Sequence, residues 1–241
     1  MRVLRAEPLR LYNSLALSAC ATALVHASSE RCLFEAMAWA AAEGLPVVPL
    51  GEGSNVVFAG DLEALVVRME TRGIKMLEDK GSSVLLRVAA GEPWHALVDW
   101  SVQRGYHGLE NLALIPGTMG AAPVQNIGAY GVELAMLAQT VHGIDIATGE
   151  AVVLAAADCQ FGYRDSIFKR SLRDKLIITA VDIRLSRAVG VRADYPVLAR
   201  ALVEQGIHNA SARQGFDAVV AIRRSQLPYP AQQPHAGSFF T

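Results

Sequence analysis

The residues best suited to chemistry in this 241-residue chain lie in one glycine-rich run and three short segments. Residues 108–131 read GLENLALIPGTMGAAPVQNIGAYG and hold five glycines, four alanines and two prolines. Glycine goes where the backbone must reach positive φ or where something must approach it closely. Small side chains leave peptide N–H groups uncovered, and a row of them cradles an anion such as a phosphate. Leu112, Ile115, Val124 and Ile127 punctuate the run and should hold it against a core. That favours a fixed, ligand-cradling loop over a flexible surface loop. A second run, LGEGSN at 50–55, directly follows the apolar stretch PVVPL. Two glycines and a serine after a strand expose backbone N–H groups that could seat a pyrophosphate. The alternative is a tight turn. The run is not a GxGxxG fingerprint, and no clear Rossmann-type helix pattern follows it.

Two side chains stand out beside these loops. QFGYRDSIFK at 160–169 sets Arg164 between an aromatic residue and an aspartate. A guanidinium fork suits a carboxylate or a developing enolate, and a salt bridge to Asp165 is the competing reading. PHAGSFF at 234–240 sets Ser238 after a glycine. A serine donates a proton only where its alkoxide is stabilised or the transfer is relayed. On this segment alone, a plain turn serine is the simpler reading.

These residues need elements to position them. Ser29 should cap a helix over 29–44, with Cys32 opening its core face, Leu33, Met37 and Ala40/Ala41 at helical spacing, and Gly44 as the stop. PVVPL (46–50) reads as a buried strand. ALVVRM (64–69), SVLLRVAAG (83–91) and KLIITAVDIRL (175–185) read as further strands. Helices are expected over Pro93–Arg104, Pro196–Gly206 and Phe216–Ser225. The order is one α/β unit and then sheet-rich segments, which predicts an α+β arrangement.

Composition narrows the classes. Hydrophobic residues make up 52% of the chain, enough to bury a core. The net charge is -1 without blocks of one sign, so no nucleic-acid groove or membrane face is marked. Cys20, Cys32 and Cys159 have no metal-ligand spacing and the six histidines are scattered, so no metal site is expected. No apolar run is long enough to span a bilayer. LALSACATALVHA (15–27) follows Arg2, Arg5 and Arg10 as a secretory signal would, but Glu7, Pro8, Tyr12 and Asn13 break that pattern. A strand and turn suit it better.

Together these segments resemble the UDP-N-acetylenolpyruvoylglucosamine reductase family, flavoenzymes of peptidoglycan precursor synthesis. The matching stretches are LGEGSN, GLENLALIPGTMGAAPVQNIGAYGVEL, FGYRDSIFK and AGSFF, in the family's order and spacing from about Asn13 onward. The segment RADYPVL, with Tyr195, resembles the subtype whose tyrosine-bearing loop reaches the substrate site. The resemblance implies an α+β fold with a two-part FAD-binding domain of the vanillyl-alcohol-oxidase type, here 1–60 and 61–214. Residues 215–241 would begin a smaller α+β substrate-binding domain. It implies noncovalent FAD held by Gly51, Glu52, Gly53, Ser54 and Asn55, by Ile115, Pro116, Gly117, Thr118, Gly120 and Ala121, by Asn126, Gly128, Ala129 and Gly131, and by Arg223. Tyr130 and Tyr195 would touch the UDP-sugar enolpyruvyl substrate. NADPH would reduce FAD, and the flavin would pass hydride to the enolpyruvyl C3. Arg164 would stabilise the enol-like intermediate, and Ser238 would deliver the proton to C2. A cytoplasmic monomer without metal, nucleic-acid or membrane partners is the implied setting.

Two departures matter. Gln226 precedes Leu227-Pro228-Tyr229-Pro230 where the subtype usually has a lysine before LPDP. The sequence ends at Thr241, where the family continues through an Asn-Pro dipeptide towards a catalytic glutamate. The expectation is therefore that these 241 residues alone do not turn the substrate over at a useful rate. A non-catalytic flavin- or nucleotide-binding module is the alternative from another class. A flavin oxidase of the same fold is a third reading, but it often tethers FAD through His or Cys, and neither Gly-rich run contains one.

Overall fold

The computed structural model describes residues 1–188, 190–226 and 233–235. Strands β1 (Leu4–Pro8) and β2 (Cys20–Ala27) lead into helix α1 (Glu30–Glu43), then β3 (Val47–Leu50) and β4 (Leu62–Met69). These four strands form one sheet in the order β1-β2-β4-β3. β1 pairs antiparallel with β2, whereas β4 runs parallel to both β2 and β3. Parallel neighbours need a crossover, and α1 lies between β2 and β3 in the chain. Its start and stop are local. The Ser29 hydroxyl accepts from the Cys32 N–H, and Gly44 is left-handed at φ 69°. Leu33, Ala36, Met37 and Ala40 form the buried face, packed with Val25, Leu65 and Val67. Ala41, expected on that face, is exposed, and Ala36 takes its place one turn before Ala40. Leu9, Leu24, Leu50 and Val66 form a second cluster. With apolar neighbours on both faces, β2 and β4 read as continuous apolar runs. This accounts for 20–27 as an interior strand.

β4 hydrogen-bonds between β2 and β3, so the first sheet takes in residues up to Met69.

The second sheet is antiparallel throughout. After β5 (Ile74–Asp79), β6 (Ser83–Ala89) and helix α2 (Trp94–Gln103) comes a two-stranded ribbon, β7 (Gly128–Ala129) with β8 (Val132–Glu133). β9 (Ala138–Asp145), β10 (Ala151–Ala155) and β11 (Leu176–Ser186) then complete the order β10-β9-β11-β6-β5. Val84, Leu86 and Val88 point inward with Val181, Ile183 and Leu185. Arg87 faces Asp182 in the cross-strand register, bonded twice at 2.7 and 2.8 Å. Helices α3 (Pro196–Glu204) and α4 (Ala212–Gln226) follow. Leu198, Leu202, Phe216, Ala218 and Val219 bury themselves in this second core. The described part of 215–241 thus packs on the second sheet's core rather than starting a separate one. The pattern reading missed β5, β9 and β10. β5 carries four exposed positions, and β9 is interrupted by Gly143.

Candidate functional site

A cleft of about 530 Å³ opens where the first sheet meets the glycine-rich run. Gly51, Glu52, Gly53, Ser54 and Asn55 form one wall, and Pro116, Gly117, Thr118, Gly120 and Ala121 another. Both loops sit at strand or helix ends. Residue 50 ends β3, and the Trp94 N–H that opens α2 donates to the Gly117 carbonyl at 2.9 Å. Trp94 grips the run a second time, its indole N–H donating to the Leu112 carbonyl at 2.9 Å. No pattern rule singled out Trp94, although it is fully buried beneath the loop and lines the cleft.

The loops are fixed by close approach. Gly53 is left-handed at φ 67°, and an added Cβ would lie 1.9 Å from the Tyr12 carbonyl oxygen. Gly120 would place a Cβ 2.6 Å from that of Ala90. Asn13 secures the facing turn, donating to Leu9 and Leu17 carbonyls and accepting from the Leu17 N–H. The two walls are tied directly. The Glu52 carboxylate accepts from the Gly117 N–H at 2.9 Å, and the Asn55 amide donates to Gln125 at 2.6 Å.

The far half of the run does something different. Ile115, Asn126, Gly128, Ala129 and Gly131 do not line the cleft. Asn126 is buried, and its amide is spent within the protein. It donates to Glu133 and the Gly162 carbonyl and accepts from the Ala135 N–H. Arg164 lies beside it. Its guanidinium donates to the Gly128 carbonyl at 2.6 Å and lies over the Tyr163 ring. The salt bridge to Asp165 that competed with this position does not form, because Asp165 pairs with Arg170 at 3.3 Å.

Tyr130, at φ 48°, meets the Tyr195 ring edge-on with centroids 5.5 Å apart. Arg223 of α4 lies close to the Tyr130 hydroxyl. Burial lowers the Arg223 pKa and raises that of Tyr130, and their mutual contact opposes both shifts. The Arg223 Nε is buried and has no acceptor among the described residues. A buried donor left unmade costs free energy, so this nitrogen points to a bound acceptor. The structure thus brings Arg223, Tyr130 and Tyr195 into one corner. Ser238 lies outside the described residues.

The sequence reading also passed over the cleft's third side. Phe168, Lys169, Leu172 and Arg173, from the segment after FGYRD, line it. Their only sequence signal was a pair of cations at helical spacing, which is common on solvated faces.

These features fit a flavin nucleotide: a cleft walled by peptide backbone with cations on its border. Among the described residues no His/Cys/Asp/Glu group could hold a metal, and no helix is long and apolar enough to cross a membrane. A family model described as an FAD binding domain matches residues 21–156. UDP-N-acetylenolpyruvoylglucosamine reductase of Paraburkholderia phytofirmans is 44% identical over 235 residues, covering 97% of this chain and 68% of the relative. The Pseudomonas aeruginosa protein of the same name is 44% identical over 232 residues, covering 96% and 68%. The crystal structure of UDP-N-acetylenolpyruvylglucosamine reductase from Thermus caldophilus superposes with a TM-score of 0.71 at 25% identity, covering all of this chain and 75% of that one. A solvent-stable cholesterol oxidase shares the fold, with a TM-score of 0.55 at 15% identity over 77% of this chain and 38% of its own. The chain belongs to the UDP-N-acetylenolpyruvoylglucosamine reductase family.

Proposed function

We propose that this protein reduces UDP-N-acetylenolpyruvoylglucosamine with electrons from NADPH, using noncovalent FAD, in peptidoglycan synthesis. The observation that carries this reading is one continuous loop. Its first half walls the cleft with backbone, and its second half carries Tyr130 beside an unmatched buried arginine nitrogen. The bound FAD would supply hydride transfer, from NADPH to the enolpyruvyl double bond.

The protein's own residues would do the rest. Backbone N–H groups of 51–55 would face the pyrophosphate, with the 116–121 backbone as the opposite wall. Arg223 would offer its free Nε to an acceptor on cofactor or substrate. Tyr130 and Tyr195, packed edge-on against each other, would together contact the sugar nucleotide. Arg164, its fork anchored at Gly128, would stabilise the negative oxygen that develops as hydride reaches C3. Ser238 would hand a proton to C2, completing reduction of the C=C bond; this assignment rests on the AGSFF motif. Asn126, Gly128, Ala129, Gly131 and Ile115 would act by shaping the loop. The setting we propose is a cytoplasmic monomer, which sedimentation and cell fractionation would check.

The test is stopped-flow absorbance of the FAD-loaded protein. NADPH should bleach the flavin, and the enolpyruvyl substrate should restore its colour. Bleaching without restoration would favour the non-catalytic flavin module. Yellow colour that stays with the polypeptide after denaturation would overturn noncovalent binding.

A further inference from the structure

Asn111 sits at the start of the glycine-rich run, 1% exposed. Its amide nitrogen has two hydrogens, and both are committed to backbone carbonyls from distant parts of the chain. One goes to the Tyr130 carbonyl at 2.8 Å and the other to the Arg192 carbonyl at 2.7 Å. Tyr130 lies 19 residues away and Arg192 lies 81 residues away. Arg192 begins the stretch that carries Tyr195, whose ring meets Tyr130 edge-on. Its other anchors are Val191 and Ala193, half-buried against the second core. Arg192, Asp194 and Tyr195 are exposed, and the stretch has no regular structure before α3 begins at Pro196. Among the described residues the Arg192 side chain reaches the Met136 sulfur, at 3.6 Å.

We infer that Asn111 is a positioning residue for substrate binding: its amide clasps the Tyr195 segment to the Tyr130 turn, so that the two rings and Arg223 form one preassembled corner. The inference rests on the function proposed above, in which Tyr130 and Tyr195 contact the sugar nucleotide. Asn111 is absent from the cleft lining. A serine has one donor for two carbonyls, and an alanine has none. Without the clasp, the segment must be ordered at the moment of binding, and affinity falls by that cost. Two lost hydrogen bonds correspond to an opening equilibrium raised roughly five- to thirtyfold.

The test has two arms. In the first, the 241-residue chain is digested with dilute trypsin and cleavage after Arg192 is followed by mass spectrometry. Asn111→Ala should speed that cut by about tenfold, with Asn111→Ser between it and the parent. Cleavage after Arg72 or Arg104 should keep the parent rate. Acceleration at every site would mean that Asn111 merely supports the fold, and no change at Arg192 would remove the clasp. In the second arm, the FAD-loaded protein is titrated with UDP-N-acetylenolpyruvoylglucosamine and flavin absorbance is read. Asn111→Ala should weaken substrate binding by about tenfold and leave FAD affinity and NADPH reduction of the flavin unchanged. Equal substrate affinity in parent and variant would overturn the inference, as would joint loss of FAD and substrate affinity. A parent that does not bind the substrate would fault the proposed function instead, while the trypsin arm still decides whether the clasp exists.

Discussion

The two halves of the glycine-rich run use the same small residues for different ends. In the first half, from Pro116 to Ala121, the peptide backbone itself faces a cleft. In the second half, from Asn126 to Gly131, the loop is tied off by side chains and presents other side chains at its edge. Gly53 and Gly120, at the cleft, are pressed against Tyr12 and Ala90. Gly131, at the other end, has nothing within 4 Å of where a Cβ would sit. A backbone-walled site fails when the backbone moves. A corner built from side chains fails one group at a time.

The sharpest way to break the first half is Trp94→Ala. It removes a fully buried indole and its bond to Leu112, beneath the cleft. We expect a loss of about 3–5 kcal/mol in stability, read by urea denaturation, with FAD binding lost in parallel. Unchanged FAD affinity would show that the loop holds its shape without this support.

Gly53→Ala probes the cleft's other wall without touching the core. The left-handed φ and the 1.9 Å approach to Tyr12 both forbid a methyl group. A cost of about 3 kcal/mol is expected, with FAD affinity reduced more than a hundredfold in fluorescence titrations.

Arg164→Ala tests the second half. Loss of a charge aimed at a developing oxyanion costs about 3 kcal/mol in the barrier. We expect slow substrate reduction with near-parent FAD affinity. Equal damage to both would reduce Arg164 to a brace for Gly128.

The second sheet should carry an acid-sensitive contribution that neither half of the loop shares. Burial would raise the Asp182 carboxyl pKa, but bonds from Arg87 and His142 outweigh it and hold the pKa below its ordinary value. A carboxyl whose folded pKa is depressed stabilises the protein above its unfolded pKa and loses that contribution as pH falls through the folded one. Asp182→Asn should therefore lower the melting temperature at neutral pH and narrow its gap to the parent below the ordinary aspartate value of 3.8. A constant gap across pH would show that the Arg87–Asp182–His142 group is neutral in stability.

The smallest effect is expected at Gly131→Ala. Its φ of 79° disfavours a side chain, but no neighbour is displaced. A cost of about 1 kcal/mol should appear in thermal melts, with FAD affinity kept. A large loss of FAD affinity would extend the backbone-walled site to the whole run.

The sequence by itself determined the parts governed by local rules. The cap and stop of α1 at Ser29 and Gly44 were legible, as were the apolar runs of β2 and β4 and the two Gly-rich segments. Each depends on residues within a few positions of each other. The family resemblance was carried by long contiguous motifs for the same reason.

The tertiary structure decided what distance in sequence conceals. β4 joins the first sheet because parallel pairing depends on a partner 41 residues away. Its two partners could not be read from composition. Trp94 supports the cleft, and Asn126 is spent on the loop, because of carbonyls their own segments do not contain. Arg164 turned to Gly128 rather than to the adjacent Asp165, because Asp165 was already paired with Arg170. Asn111 gave no signal at all, for its two partners lie 19 and 81 residues on. A pattern within one segment reports which face is buried; which buried group finds which partner is settled only when the chain is folded.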